Sequence, residues 1–217
     1  MTVDQLIEEG RKLQRPCVFL TPDGSGPAAA EWYELDSERD AEDSAGFRRW
    51  LTIDAQHIPG AEAGITGYVS IFTDEEKCVG GRVEVTPSWP DRAGTLLYAH
   101  AASVLPPIEA VFAKGSEAVG DWLEWHNWDR TWRYNGNFKG AAIAEAYIQA
   151  WMREYPIYLS SPDIYAVLGG WHFPMSDDDW LDLMDEQLMV FTLRDSEPWV
   201  EAWRTGAGEF KVFQRIT

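Results

Sequence analysis

Leu188-Met189-Val190-Phe191-Thr192-Leu193, then Trp199-Val200-Glu201-Ala202-Trp203-Arg204-Thr205, the turn Gly206-Ala207-Gly208 and Glu209-Phe210-Lys211-Val212-Phe213-Gln214-Arg215-Ile216 decide the fold class. Each run is rich in β-branched and aromatic residues and is bounded by turn formers, which reads as three successive strands. The Gly-Ala-Gly turn joins the last two as hairpin neighbours, so the sheet they belong to is expected to be antiparallel.

Working toward the N-terminus, Ser176 to about Glu186 reads as a helix and Ile164 to Leu168 as a strand. From Ala141 to Glu154, Ile143, Tyr147 and Trp151 recur every four residues until Pro156 ends the run, an amphipathic helix. Ser116 is placed to cap a helix reaching about Tyr134, and these two helices are expected to pack as a hairpin. Pro87, Pro90, Pro106 and Pro107 interrupt regular structure and put the best subdomain junction near 87–116. Tyr68 to Phe72 and Arg82 to Thr86 read as a strand pair, as do the segments Glu31 to Leu35 and Phe47 to Asp54 as separate strands. Cys17 to Leu20 is a short buried strand, preceded by a helix that Thr2 and Gln5 open as a capping box. The expectation is a single α+β domain over 1–217, a mainly antiparallel sheet packed against several helices, with no internal repeat.

Charge bounds the function. Thirty-six Asp and Glu oppose eighteen Lys and Arg, a formal charge of -18. Such a field costs stability through self-repulsion and repels nucleic acid and anionic membrane, while steering a basic partner toward the chain. With 45% apolar residues and twelve Trp, the composition is that of a folded protein rather than a disordered acidic tail. Cys17 and Cys78 form no CxxC pair and read as reduced thiols. The N-terminus lacks the basic and apolar regions of an export signal, and no apolar run is long enough for a membrane span, so a cytoplasmic location is expected.

No HExxH, GxSxG, GxxxxGK[ST] or GxGxxG motif occurs in the chain, and no cofactor or metal is expected. His126 with Asp129 at helical spacing lacks the further ligands that zinc requires. Trp122, Trp125, Trp128 and Trp132 fall on one helical face within a sector of roughly 120 degrees, more often a core face than a stacking platform. Two acidic stretches stand out. Between Glu31 and Asp43 the chain carries Glu31, Glu34, Asp36, Glu38, Asp40, Glu42 and Asp43 against the single base Arg39, which reads as a solvated loop or edge. Between Asp177 and Glu186 it carries six acids and no base. Ser176 as N-cap with Asp177, Asp178 and Asp179 in the first turn complements a helix dipole, but Asp182, Asp185 and Glu186 lie beyond that explanation. The aspartates lack the spacing and central Gly of a calcium loop. Flanked by Trp171, Phe173 and Trp180, they combine a steering field with large rigid anchors, as interfaces do; the structural alternative is a capped helix with core aromatics.

Gly169-Gly170-Trp171, Asp177-Asp178-Asp179-Trp180, Glu197-Pro198-Trp199 and the closing Arg215-Ile216-Thr217 resemble the C-terminal quarter of immunity proteins from bacterial polymorphic toxin systems. The resemblance implies a small cytoplasmic protein that binds and blocks a cognate toxin, often a nuclease, and it transfers no functional residues. The expected function is therefore that of a non-catalytic antitoxin whose partner is a toxin with a basic surface. Its expected contacts are Asp177, Asp178, Asp179 and Asp182, with Trp171 and Trp180 as anchors, and a second patch at Asp36, Glu38, Asp40, Glu42 and Asp43. The rival readings are a carbohydrate-active enzyme using carboxylates such as Glu124 and Asp129, and an acidic scaffold or nucleic-acid mimic.

Overall fold

A computed structural model describes residues 1–33, 46–60, 64–73, 80–90, 94–125, 141–154, 163–171, 186–192 and 199–215. In chain order these form α1 (Val3–Lys12), β1 (Arg15–Thr21), β2 (Ala30–Trp32), β3 (Arg48–Asp54), a 3-10 turn (Ala55–His57), β4 (Tyr68–Thr73), β5 (Gly81–Thr86) and β6 (Thr95–Val104). Then come α2 (Ile108–Lys114), α3 (Glu117–Trp125), α4 (Ala141–Glu154), β7 (Ala166–Gly169), β8 (Gln187–Thr192), β9 (Trp199–Arg204) and β10 (Phe210–Arg215). The described residues form two compact units, one within Met1–Arg15, Ser103–Ser161 and Trp171–Met184, the other within Pro16–Ala102, Pro162–Gly170 and Asp185–Thr217.

The second unit is a ten-stranded sheet in the order β10-β9-β8-β7-β1-β6-β2-β3-β4-β5. The pairings β2–β3, β2–β6, β3–β4, β4–β5, β1–β7, β7–β8, β8–β9 and β9–β10 are all antiparallel. The expected mainly antiparallel sheet is present and dominates; the several helices expected against it are overstated, four being found among the described residues. The order contains one topology twice. Strands β2 to β5 form a meander whose first strand pairs with β6, and β7 to β10 form another whose first strand pairs with β1. Each meander carries a register shift between its second and third strands, at Arg49/Leu51 and at Leu188/Val190. A bulge increases local twist and bends a strand, which helps a wide sheet to curl.

Curling brings the two ends of the sheet together. A Cβ on Gly81 of β5 would lie 2.7 Å from Val212 Cγ1 of β10, and Gln214 Nε2 donates to the Gly80 carbonyl at 3.1 Å. All ten strands contribute to one apolar cluster, from Leu20 of β1 and Trp32 of β2 through Val83 of β5 and Leu97 of β6 to Val200 of β9 and Val212 of β10. That cluster is the interior of a nearly closed barrel. At the end of β7, Gly169 has φ 65°, and a Cβ there would lie 3.0 Å from Pro59 Cγ and 3.1 Å from the Pro16 carbonyl oxygen. Both conditions require glycine.

Cys17 of β1 is a free, buried thiol whose pKa burial raises from the ordinary value near 9 to about 11. The unfolded thiol ionises first, so this contribution to stability is complete below about pH 9 and is lost as pH rises toward 11. The loss amounts to roughly 2–3 kcal/mol. Urea unfolding of wild type and Cys17→Ala at pH 8 and pH 11 checks this. Between the two pH values wild type should lose roughly 2 kcal/mol more than the variant, and an equal loss would contradict it.

The first unit is helical. Thr2 Oγ1 accepts from Gln5 N at 3.3 Å while Gln5 Oε1 accepts from Thr2 N at 2.8 Å, the expected capping box at the start of α1. Among the described residues α4 packs chiefly on α1, and α3 on α2. The second half of the first helix in the expected hairpin, and its turn, fall at 126–140, outside the described residues. Gly10 leaves a notch in α1 that the ring of Tyr147 occupies, and the Tyr147 hydroxyl donates to the Pro106 carbonyl at 2.8 Å. Arg11 pairs with Glu154 of α4, which also accepts from Leu105 N at 3.1 Å. Burial, with the Glu154 carboxylate adding to it, raises the pKa of Tyr147 and keeps the phenol protonated.

Two elements between 87 and 116 depart from the sequence reading. Strand β6 runs ten residues between Pro90 and Pro106, and α2 starts directly after Pro107. Proline is compatible with both positions, because it terminates strands and opens helices where no amide donor is needed.

Candidate functional site

Strand alternation divides Ala30-Glu31-Trp32-Tyr33 between two faces. Ala30 and Trp32 enter the barrel interior, and Glu31 and Tyr33 point to the other side of the sheet. The expectation of a solvated run beginning at Glu31 is wrong at that residue, which is fully buried. Its carboxylate accepts from Tyr33 Oη at 2.9 Å, Trp89 Nε1 at 2.8 Å and the Gly94 amide at 2.7 Å. A buried carboxylate persists when donors replace its water, and these come from its own strand and from both ends of the β5–β6 connection. A Cβ on Gly94 would lie 2.1 Å from the Trp32 carbonyl oxygen, so glycine is what lets that amide reach the carboxylate.

Register extends the polar row. Glu31 lies opposite Thr52 on β3, and Thr52 opposite Ser70 on β4, with their hydroxyl oxygens 2.9 Å apart. Trp89, which donates to Glu31, packs its ring edge-on to Tyr68 at 4.8 Å. Beside the row, Arg49 lies over Tyr33 at 5.4 Å and over Phe72 at 5.6 Å, and Arg82 over Phe72 at 4.6 Å and Phe47 at 5.5 Å. Arginines thus alternate with aromatic rings across β2 to β5 and keep two cations where their charge is delocalised over π faces. Burial raises the pKa of Tyr33, against hydrogen bonds from Thr52 and Arg49 that lower it; the Glu31 carboxylate raises it further. The phenol therefore remains a donor. With no exposed oxygen, Glu31 holds the connection over the sheet. Its sequence signal, a lone acid between Ala30 and Trp32, was masked by the acids that follow.

A second fully buried glutamate, Glu201 on β9, accepts from Trp203 Nε1 at 3.2 Å and lies opposite Phe191 and Phe213 on the neighbouring strands. In both cases the donor stands two residues along the same strand, on the same face.

Of the residues expected to make contacts, Asp36, Glu38, Asp40, Glu42, Asp43, Asp177, Asp178, Asp179, Trp180 and Asp182 lie outside the described residues. Trp171 lies within them and is buried. Its indole Nε1 donates to the Leu13 carbonyl at 2.8 Å, Ala110 and Leu13 pack on it, and the Arg15 guanidinium sits 3.7 Å from its ring centre. The ring is thus a packing element at the end of α1. Trp122 is half-buried on α3; His126, Trp128, Asp129 and Trp132 lie outside the described residues. Acids exposed on the helices include Asp4 and Glu8 of α1 and Glu117 and Asp121 of α3. Each pair has i,i+4 spacing, which sets like charges on one helical face at a small cost in stability.

Among the described residues no group of three or more His, Cys, Asp or Glu is arranged to hold a metal, and no helix is long and apolar enough to cross a membrane. No protein-family model matches the chain, and no curated protein matches it in sequence.

Proposed function

We propose that this chain is an immunity protein, a non-catalytic antitoxin that binds a cognate toxin with a basic surface, such as a nuclease, and occludes it. The observation that carries the reading is the formal charge of -18 on a chain with a large apolar core. A nuclease presents a cationic cleft to phosphate, so an acidic inhibitor meets it faster and competes with its substrate. In this reading Asp177, Asp178, Asp179 and Asp182 supply charge and Trp180 an anchor. Asp36, Glu38, Asp40, Glu42 and Asp43 form a second acidic contact, and the exposed acids of α1 and α3 add to the field. Trp171, being buried against Leu13 and Ala110, does not touch the partner.

The test is co-expression with the product of the adjacent open reading frame, where an immunity gene's toxin is encoded. Rescue of growth together with a salt-sensitive complex in pull-down is the expected result. A harmless neighbour and no complex would overturn the reading.

A further inference from the structure

The geometry points to a binding site for a small neutral molecule inside the barrel, one with an apolar body and a hydrogen-bond acceptor such as a carbonyl or ether oxygen. Three observations carry this. First, ten strands line the interior. About eight strands enclose a space that side chains fill or that holds one small ligand, and diameter grows with strand number. Second, that interior is lined in part by small side chains, Ala29, Ala30, Ala55, Ala166 and Ala202. Third, Trp32 and Trp50 are buried in the same cluster, and neither indole N–H has an acceptor among the described residues. A buried donor without a partner carries its full desolvation cost, so native interiors rarely keep one, and two in one cluster call for an acceptor.

The rings define the neighbourhood. Trp32 and Trp50 lie 5.6 Å apart at 83°, and Trp32 and Tyr165 5.5 Å apart at 89°. The cluster's members carry no charge, so an anion or cation would enter without a counter-charge, which selects a neutral ligand. The site is independent of the toxin-binding reading and stands or falls without it.

Nitrogen-15 spectra of the twelve indole groups provide the test, with the Trp32 and Trp50 resonances assigned by their loss in Trp32→Phe and Trp50→Phe. Cyclohexanone should shift these two resonances saturably, methylcyclohexane should not, and the double variant should bind the ketone about tenfold more weakly, as loss of two hydrogen bonds requires. The remaining indole resonances report that each variant is folded. Indole protons that contact only bound water unmoved by the ketone, or that point into the neighbouring rings and ignore it, would overturn the proposal.

Discussion

Glu31→Ala should destabilise the sheet unit by roughly 3–9 kcal/mol, because it strands the Tyr33 hydroxyl, the Trp89 indole and the Gly94 amide together at about 1–3 kcal/mol each. That is a large share of the stability of an ordinary domain, about 5–15 kcal/mol. Glu31→Gln keeps the size and one acceptor oxygen but turns an amide NH2 toward donors, so it should lose about half as much. Urea unfolding measures both. A midpoint for Glu31→Ala within about 1 kcal/mol of wild type would mean that the 87–94 connection is held by something other than this carboxylate. Trp89→Phe, which keeps the contact with Tyr68 but removes one donor, should cost only about 1 kcal/mol, since the carboxylate retains its other donors.

In the helical unit, Gly10→Ala should destabilise by roughly 1–3 kcal/mol although alanine is the better helix former by about 1 kcal/mol. A Cβ at position 10 would lie 2.4 Å from Tyr147 Oη and 3.0 Å from its Cε2. Tyr147 is fully buried and tied to the Pro106 carbonyl, so it cannot move without giving up that bond. Overpacking of this kind costs about 1–3 kcal/mol, and the lost hydrogen bond adds about 1 kcal/mol. Tyr147→Phe removes the atom nearest the new methyl, so the double variant should be more stable than the two single effects predict. A Gly10→Ala protein more stable than wild type would contradict the tight α1–α4 contact.

The strands at 187–215 were legible because β-branched and aromatic runs there alternate with strong turn signals, and β8, β9 and β10 start and stop within about one residue of the reading from sequence. The capping box of α1 was equally plain, being a local hydrogen-bond pattern that tertiary packing has no reason to override. Strand β6 was hidden by treating four prolines as interruptions of everything near them, whereas each lies outside the strand. The partner of α4 depended on one glycine notch 137 positions away in α1, a tertiary fact that no window of sequence contains. The twofold topology of the sheet left no trace as a sequence repeat, since strand order and bulge position constrain residue type only through burial. The same limit applied to Glu31. Charge predicts exposure unless donors are brought in from elsewhere, and the donors Trp89 and Gly94 are distant in sequence. The acidic segments were conspicuous in composition, but their role is set by what they meet.

The central claim, an acidic binding protein steered to a basic toxin, is tested most directly by stopped-flow association with the adjacent gene's product across ionic strength. Wild type is to be compared with the Asp177→Asn, Asp178→Asn, Asp179→Asn, Asp182→Asn quadruple variant. Steered association should slow by about tenfold or more between low and high salt, and the variant should associate more slowly and with a shallower salt dependence. Rates that are independent of salt and identical in the two proteins would contradict the account.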